Sequence, residues 1–211
     1  GNDYIFASAG SDIIDGGADS DLVDYSASST GINLTLLDSG ATVNVSHNIG
    51  GVASDSLTNI EGIKGSTTAS NTLIGNNMNN TLIGGNQTDI IKGVSGNNYL
   101  SGGAGNDTIY AGTGSDTIDG GSGTDDWLYY TDLASTNISV DLRSNTATHG
   151  SSTDLITAIE HLRMSNGTNI VQGNQSANSF IGGTGTDTLS YSGAASGVTV
   201  NVTSAGAGTS S

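Results

Sequence analysis

From Asn71 to Asp125 every ninth residue is an acid or its amide: Asn71, Asn80, Asp89, Asn98, Asp107, Asp116 and Asp125. Each sits in a turn, most of them rich in glycine, and is followed two residues later by an apolar side chain. The same nine-residue step recurs at Asp3, Asp12 and Asp21, and again at Asn169, Asn178 and Asp187. A strict period this short means one small supersecondary unit stacked on itself, which fixes the kind of architecture before any other consideration.

In frame the unit reads G-G-x-G-x-D-x-U-x, with U a large apolar residue; Gly102-Gly-Ala-Gly-Asn-Asp-Thr-Ile-Tyr110 is a full copy. Glycine fills the first half because tight and left-handed turns exclude most other residues. The second half alternates polar and apolar, as a short strand with one buried face does. Ile14, Val23, Leu82, Ile91, Leu100, Ile109, Ile118, Phe180 and Leu189 hold the U position. One unit supplies a turn and a strand, so two units make one coil of about 18 residues, and coils stack about 4.8 Å apart. Residues 18 apart therefore share an edge. Asn71, Asp89, Asp107 and Asp125 lie on one edge of the central ladder, with Asn80, Asn98 and Asp116 on the other. Asp3 and Asp21 share an edge opposite Asp12, and Asn169 and Asp187 share one opposite Asn178.

Aspartates stacked about 5 Å apart repel unless a cation lies between them, and a hard divalent ion taking carboxylate and carbonyl oxygens fits calcium. The pattern resembles the RTX (repeats-in-toxin) family of haemolysin-type calcium-binding nonapeptide repeats, in the branch of large repetitive surface proteins and adhesins. The resemblance implies an all-β, right-handed parallel β-roll or β-solenoid with calcium-binding turns. It implies metal ligands Asp3, Asp12, Asp21, Asp89, Asp107, Asp116, Asp125 and Asp187, with carbonyl support from Gly16, Gly85, Gly103, Gly105, Gly121 and Gly123. Calcium is expected between Asp3 and Asp21, Asp89 and Asp107, and Asp107 and Asp125; Asp12, Asp116 and Asp187 lack an aspartate partner. Asn71, Asn80, Asn98, Asn169 and Asn178 replace the coordinating acid, and the Asn80–Asn98 edge reads as a stacked asparagine ladder closed by its own amide hydrogen bonds.

Between ladders run longer, mutually similar inserts. Tyr25 to Leu36 matches Tyr130 to Leu142 and Tyr191 to Val202, and Asp55 to Glu61 corresponds to Asp154 to Glu160. This divides the chain into ladders at 1–24, 71–128 and 164–190, inserts at 25–70 and 129–163, and a third insert beginning at 191–211. Because Ile32, Leu34, Leu36 and Ile138, Val140, Leu142 also alternate, the inserts are expected to continue the solenoid as wider coils. Glu61 and Glu160, the only glutamates, read either as calcium ligands at the insert–ladder junctions or, by preference, as solvated or amide-capping groups. Tyr25, Tyr130, Tyr191 and Trp127 are expected to pack over the last coil of each ladder. His47, His149 and His161 have no ligand spacing and read as surface residues.

Asp and Glu number 20 against 4 Lys and Arg, for a net charge of −16. No basic patch exists to neutralise phosphates or meet anionic lipid, so nucleic acid and direct membrane insertion are excluded as partners. With no cysteine there are no disulfides, thiol catalysis or zinc–thiolate sites. No nucleophile elbow, zinc-protease helix, P-loop or dinucleotide fingerprint occurs, so the chain reads as no enzyme. It begins inside a repeat and reads as an excerpt of something longer. The expectation is a calcium-binding segment of a secreted bacterial protein, extracellular or on the cell surface, folding on calcium outside the cell. It would act as a rigid spacer in an adhesin, surface layer or fibre, partnered by calcium and by itself or a surface or matrix component. The alternative is a non-catalytic module of a secreted polysaccharide epimerase, lipase or protease, or of a toxin.

Overall fold

The chain was described from a computed structural model covering residues 1–133 and 136–192. The expected third insert, apart from Tyr191 and Ser192, lies outside the described residues. Every regular element among the described residues is a strand, most of them three residues long. The strands assemble into sheets of 11, 7 and 3 members. Within the ladders all pairing is parallel and steps by one coil. Thr108–Tyr110, for example, lies between Ile90–Lys92 and Trp127–Tyr129. The all-β parallel roll expected from the repeat is the fold observed.

The central residue of each short strand turns inward, except in the last described strand, where Leu189 is exposed. On one face Val23, Ile63, Leu82 and Leu100 stand in register; on the other Leu34, Leu73, Ile91, Ile109, Leu128 and Leu162 do. All are buried and belong to one continuous core. Each contributes about 1.5–3 kcal/mol of apolar burial, so a three-residue strand holds its place mainly through one side chain.

The inserts depart from the expectation of wider coils. Each of the two described inserts contains an antiparallel hairpin. In the first, Thr42–Asn48 pairs antiparallel with Val52–Thr58. In the second, Ile138–Asp141, Thr146–His149 and Ser152–Thr157 form an antiparallel meander. Period-two alternation is identical for parallel and antiparallel strands, so the apolar pattern could not separate them. The turns do separate them. Gly50 and Gly51 (φ 69° and 152°), and Gly150 (φ 58°), permit the tight reversals that a coil would not need.

Each hairpin is spliced into one face only. Ser56–Thr58 pairs with Ile13–Asp15, and Leu155–Thr157 with Thr117–Asp119. On the opposite face the coils stack directly across the insert, Leu22–Asp24 on Gly62–Lys64 and Trp127–Tyr129 on His161–Arg163. The first strand of each insert, Asn33–Thr35 or Ile138–Asp141, rejoins the solenoid in parallel with the next ladder.

Candidate metal centre

The residue before each three-residue strand sits at the turn, and there the acids line up in columns. One oxygen of each has a fixed task. Oδ1 of Asp89 accepts the backbone N–H of Asn71 at 2.6 Å, and Oδ1 of Asp107 accepts that of Asp89 at 2.7 Å. Asp21 serves Asp3, Asp116 serves Asn98, and Asp187 serves Asn169 in the same way. The N–H at this position has no partner in the parallel ladder, so a carboxylate one coil on supplies it.

The second oxygen has no donor. Oδ2 of Asp21, Asp89, Asp107, Asp116 and Asp126 is buried and without a hydrogen-bond partner. In every case the next coil of the same column presents another acid: Glu61, Asp107, Asp126, Asp154 and Glu160 respectively. Burial pushes the Asp89 carboxyl up to about 6 and those of Asp107 and Asp116 up to about 7, and it raises Asp126 as well. For Asp107 the charges of Asp89 and Asp126 add to the effect of burial. Desolvated carboxylates in a row, each with a free oxygen, are an arrangement that a cation would relieve.

Asparagine turns are built differently. The Nδ2 of Asn98 donates to the carbonyls of Ser95 and Gly96, each at 3.2 Å. That of Asn71 donates to Ser66 O and Asp89 Oδ1, and that of Asn169 to Ser165 O, Gly182 O and Asp187 Oδ1. The amide hydrogens thus occupy the carbonyls that would face a metal. Asn80 N–H donates to Asn98 Oδ1 at 2.8 Å, which links the asparagine edge.

The expected site residues separate as follows. Asp21, Asp89, Asp107 and Asp116 are buried in the columns, Asp12 is half-buried, and Asp3 and Asp187 are exposed at the column ends. Asp12 and Asp116 do have acidic partners, contrary to expectation, because the hairpins deliver Asp55 and Asp154 beside them. Asp125 is a correction. It is exposed, its Oδ1 lying 2.6 Å from His161 Nε2, while Asp126 takes the column position, its Oδ1 accepting the Asp107 N–H at 2.7 Å. The unit before it carries one extra residue. The signal was present in the apolar phase, since the fully buried residue is Leu128, two after Asp126, and not Trp127.

Gly16, Gly85, Gly103, Gly105, Gly121 and Gly123 lie in these turns; a Cβ on Gly103 would stand 2.1 Å from Gly85 O, and one on Gly121 2.0 Å from Gly103 O. Of these, Gly16 and Gly123 stand against free oxygens, a Cβ on them reaching 2.6 Å from Asp21 Oδ2 and 2.8 Å from Asp126 Oδ2; at Asp89 and Asp107 the glycines nearest the free oxygens are Gly84 and Gly102. A Cβ on Gly84 would stand 2.4 Å from both Asp89 Oδ2 and Gly102 O, and one on Gly102 2.3 Å from Asp107 Oδ2 and 2.5 Å from Gly120 O. Carboxylate and carbonyl thus converge on a hollow that only glycine leaves open. At Asp116 the corresponding residue is the buried Ala111 and not a glycine. No three acidic or histidine side chains cluster around one point among the described residues, and the Gly84 and Gly102 hollows are each lined by one carboxylate oxygen and one turn carbonyl. Hard oxygen donors of this kind suit calcium.

A profile of the RTX calcium-binding nonapeptide repeat family matches four copies, at residues 1–27, 66–100, 92–126 and 165–194. This chain belongs to the RTX family. The repeats of that family bind calcium ions. No curated protein matches the chain.

Around the RTX turns, each insert adds a buried Tyr–Asp–His cluster. Tyr25 Oη donates to Asp55 Oδ2 at 2.9 Å, and His47 Nε2 lies 3.1 Å from Asp55 Oδ1. Tyr130 Oη donates to Asp154 Oδ2 at 2.8 Å, with His149 Nε2 at 3.1 Å from the same oxygen. His47 and His149 are therefore core residues and not surface ones. The aromatics expected to cap the ladders are, in Tyr25 and Tyr130, the donors that satisfy these acids. Glu61 and Glu160 likewise belong to the columns, accepting the N–H of Asp21 at 3.0 Å and of Asp126 at 3.1 Å.

Proposed function

We propose that this chain is a segment of a secreted RTX protein that folds when calcium fills its turns and then serves as a stiff extracellular spacer, in an adhesin, surface layer or fibre. One observation carries the reading: five buried carboxylate oxygens lack any donor, each with another acid one coil on. Their ligands would be Asp3 with Asp21, Asp89 with Asp107, and Asp107 with Asp126, supported by turn carbonyls. In the absence of a cation, these desolvated charges and a net charge of −16 oppose the stack. With calcium bound, binding free energy becomes folding free energy. Extracellular calcium modules work at about 10⁻⁴–10⁻³ M, so the chain would stay open in a low-calcium cytoplasm and close outside. The role is structural and not catalytic.

Far-UV circular dichroism and small-angle scattering test this on the intact chain. Stripped of calcium it should be unfolded and expanded; at millimolar calcium it should become β-rich and rod-shaped. Identical spectra and dimensions in the two conditions would sink the reading.

A further inference from the structure

We infer that Glu61 and Glu160 complete two further calcium sites, one at each junction where an insert is spliced into a ladder, with Asp21 and Asp126 as their partner carboxylates. The inference rests on the calcium reading above and extends it to residues outside the nonapeptide.

Asp21 and Asp126 are fully buried, and Oδ2 of each has no partner, as in Asp89 and Asp107. What differs is the neighbour one coil on. Asp89 and Asp107 look to another aspartate of the repeat, whereas Asp21 and Asp126 look across an insert to a glutamate. The two glutamates are placed alike in backbone register, Glu61 buried and Glu160 half-buried. Each occupies the register position of an RTX aspartate, immediately before the inward strand, Gly62–Lys64 or His161–Arg163. Each lends its own carbonyl to the next asparagine, Asn80 Nδ2 at 3.2 Å and Asn178 Nδ2 at 3.3 Å.

The turn carbonyl is rebuilt as well. Two residues before each glutamate stands a non-glycine residue in the left-handed region, Asn59 at φ 52° and Ala158 at φ 51°. A Cβ on Gly16 would meet Asn59 O at 2.3 Å and Asp21 Oδ2 at 2.6 Å; one on Gly120 would meet Ala158 O at 1.9 Å. The same hollow in the repeat is formed by Asp107 Oδ2 and Gly120 O around Gly102. In the repeat, the carbonyl of this hollow precedes its acid by five residues or, around Asp126, by six. In the insert it precedes the glutamate by two. The shortened turn explains why glutamate appears only here: the extra methylene carries the carboxylate to a position that aspartate reaches from a longer turn.

The test uses the full chain and calcium titrated by calorimetry, with terbium as a second probe. Glu61→Gln and Glu160→Gln keep an oxygen to accept the Asp21 or Asp126 N–H but remove the charge. Each should bind one calcium fewer than the unmodified chain. Trp127, the one tryptophan, follows Asp126, and its indole packs on His161, which follows Glu160, at 4.8 Å. Terbium emission sensitised through Trp127 should therefore fall in Glu160→Gln and stay unchanged in Glu61→Gln. Unaltered stoichiometry and emission in both would make the glutamates simple hydrogen-bond acceptors and overturn the inference. A chain that binds no calcium at all would overturn the proposed function with it. Should a glutamine variant not fold, Glu160→Asp keeps the charge and withdraws it by one methylene; weakened binding at one site supports the inference, and unchanged binding overturns it.

Discussion

The backbone N–H of Asp107 donates to Oδ1 of Asp126 at 2.7 Å across nineteen residues, while the equivalent bond from Asp89 to Asp107 spans eighteen. The column therefore absorbs one extra residue in the turn and keeps its inward leucine, Leu128, in phase. Asp126→Asn should weaken calcium binding by about tenfold or more, because affinity follows the charge of the ligand set. Asp125→Asn should leave calcium binding unchanged and alter stability by no more than about 0.5 kcal/mol. Calorimetric titration of the two variants separates them.

Replacing an asparagine of the ladder should create calcium dependence where there was none. In Asn98→Asp the amide that now donates to Ser95 O and Gly96 O is lost, and a carboxylate faces those carbonyls. At limiting calcium the variant should lose about 1–3 kcal/mol, the cost of leaving buried groups unpaired. Calcium should restore it, since Gly93 leaves the hollow open and Asp116 stands one coil on. Thermal unfolding at limiting and at saturating calcium measures the difference.

Gly102→Ala should fill a hollow. Its Cβ would stand 2.3 Å from Asp107 Oδ2 and 2.5 Å from Gly120 O, so one of them must retreat. Overpacking of this kind costs about 1–3 kcal/mol. Calcium affinity should fall in addition, and a loss of stability with affinity intact would argue that no metal sits there.

The two Tyr–Asp–His clusters should behave as equivalents. Tyr25→Phe removes the donor to Asp55 Oδ2, and Tyr130→Phe removes one of two groups at Asp154 Oδ2. Each should destabilise the calcium-loaded fold by about 1–3 kcal/mol without changing calcium stoichiometry. Denaturant unfolding at saturating calcium gives both numbers.

Calcium-free and calcium-loaded chains should respond to pH in opposite directions. Asp89 sits near 6 and Asp107 and Asp116 near 7 in the fold, against an ordinary 3.8. The folded state holds these protons more tightly, so without metal their contribution to stability is full below 3.8 and is lost as pH rises to about 7. Calcium needs the deprotonated acids, so its affinity should climb through that same window. Circular dichroism of the calcium-free chain at pH 4 and pH 8 checks the first half, and titrations at pH 6 and pH 8 the second. Greater calcium-free β content at pH 8 would contradict the sign.

Much of the roll was legible in the residues. The nine-residue spacing and the apolar position two after each acid gave the coil, its inward side chains and the columns of Asp89, Asp107 and Asp116. The hairpins were not legible as such, because Val43, Val45 and Leu57 alternate in the same way whether their strands run parallel or antiparallel. His47 and His149 looked like surface residues since nothing near them in sequence binds them; their partners Asp55 and Asp154 come from the returning hairpin strand. Counting nines lands on Asp125, whereas the buried Leu128 lies two residues after Asp126.

By itself the sequence determined a stacked parallel roll, since a repeat too short to bury its own apolar face can do so only against copies of itself. Tertiary structure alone decided which acids meet across the inserts. Asp21 reaches Glu61 across 40 residues and Asp12 reaches Asp55 across 43, distances set by how much chain each hairpin takes up. Hydrogen-bond register between such remote segments follows from backbone pairing, which no local spacing encodes.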